Sequence, residues 1–192
     1  MDSNSIDPKE WAKFETWKKG KEKRQADKKA VRKKRSEEIE VNWGGLQTEL
    51  RDELSKSITD FDWKKEGLLS NNRRQRVDIM GVSKSRTCRV GIELERDRAT
   101  CVRNVIKVWM SMRQDQRYFL LIHIFSPVFD DEKRTFLEEA EFVGEKASAD
   151  TNGRLMYKPI QLEQWPSVDP TLVIREAANV KNLVTAWGSK VS

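Results

Sequence analysis

The chain has 192 residues and a net charge of +6, with 37% hydrophobic and 35% charged residues. That suffices for one domain with a packed core plus an appendage, and excludes two large domains. No apolar run approaches the roughly 18 residues of a membrane span, and the first residues lack a signal peptide's apolar segment. The expectation is a soluble, cytoplasmic protein with no membrane partner. Cys88 and Cys101 have neither CxxC spacing nor histidines nearby, which argues against a zinc site or disulfide framework and for reduced, buried thiols.

Residues 8–40 carry a helix signature, with Pro8 in the first turn and Trp11, Phe14 and Trp17 on one face. A basic run follows. Between Lys18 and Arg35, eleven Lys or Arg stand against Glu22 and Asp27, a local excess of nine that leaves the rest of the chain near −3. Such a block attracts polyanions, nucleic acid foremost. Its candidate phosphate contacts are Lys18, Lys19, Lys21, Arg24, Lys28, Lys29, Arg32, Lys33 and Arg35. A solvated charged helix and a nuclear-localisation signal are the competing readings, while a coiled coil lacks its sustained apolar heptads. Residues 1–40 are therefore read as a basic helical arm and 41–192 as an α/β domain.

Leu46, Leu50, Leu54 and Ile58, at spacing four, predict a second helix over 42–61, with Trp43 and Phe61 on the same stripe and Glu49 and Glu53 flanking it. A first strand is expected over 63–70, ending in a Ser70-Asn71-Asn72 turn. Arg73, Arg74 and Arg76 then lead into a β-hairpin. They are placed to meet substrate phosphates, although solvated edge charges fit equally well.

The hairpin joins the apolar run from Val77 to Val82, a polar turn, and a second run from Cys88 to Glu95. Glu93 and Glu95, two apart, share a face, and antiparallel pairing brings Asp78 to them. Three carboxylates in one place are costly unless a cation lies between them, and an oxygen-only donor set suits Mg²⁺. The plainer reading makes Glu93 and Glu95 the solvent face of an amphipathic strand.

Thr100 can cap a helix running to Arg113, with Val102, Val105, Trp109 and Met112 on its apolar side. Lys107 lies nearly opposite that side, which points it to solvent. Residues 117–125, RYFLLIHIF, read as a strand buried on both faces, and its His123 as a satisfied structural residue. A helix over 130–146, a strand over 153–162 and a helix over 169–187 complete the order. Together they predict a mixed β-sheet sandwiched between helices.

Asp78, a short strand and turn, then Ile92-Glu93-Leu94-Glu95 resembles the catalytic hairpin of the PD-(D/E)XK nuclease superfamily, the restriction-endonuclease-like fold. The order of elements over 43–162 is similar too. In that family's pattern an Asp is followed by Glu or Asp, one spacer and a Lys; here Glu95 stands in the Lys position. The resemblance implies a Mg²⁺-dependent DNA endonuclease, with Mn²⁺ as a substitute, of restriction or mobile-element type, and it admits a homodimer. Asp78 and Glu93 would hold the metal, with Glu53 turned toward it from the first core helix. Either Glu95, as a water-orienting base, or Lys107, migrated to the helix, would stand in for the missing Lys. The alternative is a nucleic-acid-binding protein that keeps the fold but does not cleave.

Overall fold

Among the described residues, runs of β-branched and aromatic residues separated by short turns give five strands, and longer segments, some with a 3.6-residue apolar period, give four helices. The computed structural model describes residues 8–69, 75–95, 100–113, 115–125, 131–162 and 170–191. In order the elements are α1 (Pro8–Ser57), β1 (Phe61–Leu68), β2 (Arg76–Ser83), β3 (Cys88–Glu95), α2 (Cys101–Met112), β4 (Tyr118–Phe125), α3 (Asp131–Asp150), β5 (Leu155–Gln161) and α4 (Pro170–Val191). The chain divides into two compact units, residues 1–41 and 42–192.

The helices expected over 8–40 and 42–61 are one element, because no proline follows Pro8 to interrupt it. Phe61 opens β1 instead of closing the helix, and its ring lies 5.8 Å from that of Trp63. In the first unit the side chains of Lys19, Lys21, Arg24 and Lys28 are exposed. Those of Lys18, Lys29, Arg32, Lys33 and Arg35 lie outside what is described, as do residues Arg73 and Arg74 altogether.

In the second unit the sheet order is β1-β2-β3-β4-β5. β1, β2 and β3 pair antiparallel, whereas β3 with β4 and β4 with β5 pair parallel. Parallel neighbours need crossover helices, and two successive crossovers of the same hand in one direction put α2 and α3 on the same face. There Val105, Val108 and Met112 of α2 and Ala140 and Ala147 of α3 join Phe119, Leu121, Phe125, Leu155 and Tyr157 in one apolar cluster. The inward side of α2 is thus centred on Cys101, Val105, Val108 and Met112. Val102 and Trp109, expected on that apolar side, are partly buried and pack against the cluster. Cys101 is buried as expected, but Cys88 is only half-buried. Every residue of β4 after Tyr118 is buried, as its unbroken apolar run requires. Among the described residues no helix is long and apolar enough to cross a membrane.

A buried charge cluster ties the start of β3 to the chain entering β4. Arg89, 4% exposed, donates to the Leu68 and Leu69 carbonyls and to Asp115 Oδ2 at 2.8 Å. Arg117 grips the same carboxylate through Nε at 2.8 Å and Nη2 at 2.7 Å. Burial pushes the Asp115 carboxyl up, but the hydrogen bonds from Arg117 and Arg89 outweigh it and hold the group down at about 2. A depressed carboxylate contributes stability above its unfolded value of 3.8, and that contribution is lost as pH falls toward 2. Asp115→Ala leaves Arg89 buried without its counter-charge. It is expected to lower stability by about 3 kcal/mol at neutral pH in urea denaturation, with the deficit shrinking below pH 3.

Candidate active site

The β2–β3 ladder extends from Val82↔Arg89 to Ile79↔Ile92. Just beyond it a side chain takes the place of a ladder bond: the Leu94 N–H donates to Asp78 Oδ2 at 2.7 Å. A buried backbone donor is thereby satisfied, and the carboxylate is fixed at the mouth of the hairpin. Asp78 is also held through its backbone, because Gln47 Nε2 of α1 donates to its carbonyl at 2.6 Å.

Glu93 lies on β3 between the apolar residues Ile92 and Leu94 and is only 4% exposed. Burial, and next the negative charge of Asp78, push its carboxyl up to about 8, against the opposing pull of Lys107. The Lys107 ammonium stands 2.6 Å from Glu93 Oε1. The helix wheel pointed this lysine to solvent, and the structure corrects that expectation: its side chain is 22% exposed. Its Cα does lie roughly 130° from the centre of the buried stripe of α2 at 100° per residue. A four-carbon stem, on a Cβ tilted toward the helix N-terminus, carries the charge back to the strand.

Glu95 is equally buried, yet both its oxygens are engaged by the start of α2. Thr100 Oγ1 donates to Oε1, and Asn104 Nδ2 donates to Oε2 at 2.9 Å. Its visible work is to dock the helix that carries Lys107. The three carboxylates are therefore used differently: Asp78 and Glu93 line the mouth, and Glu95 braces its wall. Thr100, expected as a helix cap, makes no side-chain capping bond and serves Glu95 instead.

Other predicted members stand apart. Glu53 contacts Lys56 at 3.4 Å, whereas Gln47 of the same helix hydrogen-bonds the hairpin. Around the helix, Gln47 and Glu53 flank the stripe of Leu46, Leu50 and Leu54 on opposite sides by roughly equal angles, so periodicity alone could not choose between them. Arg76 is exposed and paired with Glu66 at 2.7 Å. Among the described residues no group of three or more His, Cys, Asp or Glu is placed to hold a metal ion.

Behind Glu93, on the neighbouring strand, is its ladder partner His123, fully buried. Burial and then the Lys107 charge push the imidazole down to about 3, so it is neutral. Its Nδ1 lies 3.2 Å from the Tyr157 hydroxyl, whose own pKa burial raises. The histidine is buried as expected, but it is satisfied at one nitrogen only: Nε2 has no hydrogen-bond partner among the described residues. Gly144 lets α3 pass close over Tyr157, since a Cβ there would meet that ring at 2.6 Å.

The raised Glu93 pKa has a definite sign. Between about 4.5 and about 8 the folded protein keeps a proton that the unfolded chain has released, so stability falls as pH rises through this window. Asp78→Asn removes one charge that causes the shift while preserving an acceptor for Leu94. Urea denaturation in chelator at pH 5 and pH 8 is expected to show a smaller loss of stability with pH in Asp78→Asn than in the wild type; equal losses would contradict the coupling.

No family model, curated protein or solved structure matches the chain, so Asp78, Glu93 and Lys107 themselves carry the functional reading.

Proposed function

We propose that the chain is a metal-dependent endonuclease that hydrolyses phosphodiester bonds in DNA, on the PD-(D/E)XK plan, with its lysine supplied by α2 instead of β3. The observation that supports this reading is the 2.6 Å contact of Lys107 with buried Glu93 beside Asp78, at the mouth of a hairpin. With Glu93 ionised, two carboxylates and one ammonium in so small a space are one positive charge short of neutrality, a deficit that the Glu93 proton makes up below about pH 8 and that a cation can make up in its place. Hard oxygen donors in that state suit Mg²⁺ or Mn²⁺, which take one or two carboxylates and complete their shell with waters and phosphate oxygens. Asp78 and Glu93 are the residues that would hold the ion. When bound, it supplies Lewis-acid polarisation of the phosphate and a water of lowered pKa.

Lys107 has the reach to move its ammonium from Glu93 to a non-bridging oxygen of the scissile phosphate, where it offsets the charge that develops during attack. Glu95 acts through the helix: bracing Thr100 and Asn104 keeps Lys107 in range. The exposed lysines and Arg24 of the basic arm supply phosphate contacts that do not read sequence. The second reading, a DNA-binding protein that does not cleave, is favoured by the lack of a described three-carboxylate group.

Supercoiled plasmid incubated with the protein separates the two. Nicking or linearisation is expected with Mg²⁺ or Mn²⁺ and none with chelator. Asp78→Ala and Glu93→Ala should abolish it with the fold intact by circular dichroism, and Lys107→Ala should reduce it about a hundredfold, as expected for removal of a transition-state charge partner. Full activity in a folded Lys107→Ala protein would eliminate the lysine's role. Absence of both cleavage and divalent-ion binding in the wild type would favour the non-cleaving reading.

Deleting residues 1–40 is expected to weaken binding to all DNA sequences alike and to flatten the dependence of log affinity on log salt, because phosphate contacts act by counterion release. An unchanged slope would assign the arm another task.

A further inference from the structure

The backbone of β1 is irregular near its end. Glu66 has a left-handed φ of 48°, and the chain after it closes over Met80, leaving no room for a Cβ at Gly67. The carbonyls of Leu68 and Leu69 are thereby brought to Arg89, although the ladder sets Arg89 opposite Val82, near the other end of the hairpin. Beside this segment lies a pocket of about 710 Å³, bounded by Lys64, Leu68, Met80, Val82, Arg89 and Arg117 among others.

Two features of the pocket point to an anion. Arg89 and Arg117 share the single carboxylate of Asp115, so one positive charge is left over, and the two guanidiniums repel each other. Arg89 is almost wholly buried, and its Nε has no hydrogen-bond partner among the described residues. Arg117 is 40% exposed and Lys64 is exposed, so the excess charge can be reached from solvent. Leu68, Met80 and Val82 give the same pocket an apolar lining, with Leu68 44% exposed. Apolar surface and cations in one pocket suit a ligand with a flat apolar body and an anionic group. The volume lies within the ordinary range for small-molecule sites.

Position selects the ligand. Met80 is two residues along β2 from Asp78, roughly 7 Å in an extended strand. We propose that this pocket holds one nucleotide of the polynucleotide substrate, its phosphate toward Arg117 and Lys64 and its base against Leu68, Met80 and Val82. The identity of the ligand rests on the nuclease reading above, whereas the excess charge and the apolar lining do not.

The test measures binding to the full chain in chelator, without cleavage, using inorganic phosphate, deoxyadenosine monophosphate and a fluorescent single-stranded oligonucleotide as probes. The mononucleotide is expected to bind the wild type more tightly than phosphate does, and Leu68→Ser to remove that advantage. Lys64→Glu with Arg117→Gln is expected to weaken oligonucleotide binding about tenfold or more, as for loss of hydrogen bonds to a charged group. Lys84→Glu with Arg86→Gln, an equal charge change in the exposed β2–β3 turn, should have a smaller effect. Leu68→Ser leaves the Asp115 cluster intact and so remains informative if Arg117→Gln does not fold. Mononucleotide binding no tighter than phosphate, or oligonucleotide binding that falls equally in the Lys84→Glu, Arg86→Gln protein, overturns the proposal. Because the readout is binding without metal, a failed plasmid assay sinks the nuclease reading alone, and cleavage with an unaltered KM in the folded Lys64→Glu, Arg117→Gln protein sinks the pocket alone.

Discussion

A carboxylate buried on a strand beside a second carboxylate must find a cation, give up its charge or destabilise the fold. Glu93 is in that position, and much of the architecture around it follows. The nearest fixed positive charge is Lys107, which reaches the strand only because α2 begins close to the end of β3. That start is held by Glu95, the residue that replaces the lysine in the family pattern it resembles. A lysine at position 95 could not accept the hydrogen bonds of Thr100 and Asn104. In the reading proposed above, exchanging strand lysine for strand glutamate and moving the cation to the helix would be, physically, one change.

The sequence showed the hairpin, the fully buried β4 and the order of the elements, because each rests on a local pattern: period two, an unbroken apolar run, or turn residues between them. It also showed Asp78 and Glu93, whose relation depends only on antiparallel pairing. Lys107 was harder, because a helix wheel tracks Cα directions and a lysine charge sits several bonds away from its Cα. Gln47 was missed because nothing in a 3.6-residue period says which flank of a stripe meets a hairpin. The continuity of α1 was missed for a related reason. A change in composition from basic to apolar marks a change of environment, and a helix can pass through one without breaking.

The wall behind the charged mouth is polar but neutral. Burial keeps His123 unprotonated and Tyr157 protonated, so the pair adds hydrogen-bonding capacity beside Glu93 without adding charge. Low local polarity lets the fixed charges in front act strongly. At the opposite end of β3, Arg89 and Asp115 are a second buried ionic group, and the single strand connects the two. β3 is therefore fixed at both ends by electrostatics and along its middle by packing.

Every strand in the sheet lies beside its neighbour in the sequence. Loop-closure entropy rises with the length of chain to be closed, and folding slows as contacts become more distant in sequence. Asp78, Glu93, Glu95, Thr100, Asn104 and Lys107 all fall within residues 78–107, and Gln47, which holds the Asp78 carbonyl, lies 31 residues before it. The segment that carries the candidate site is thus expected to gather its contacts early, as a short autonomous stretch of chain, before α3 and α4 complete the layers around it.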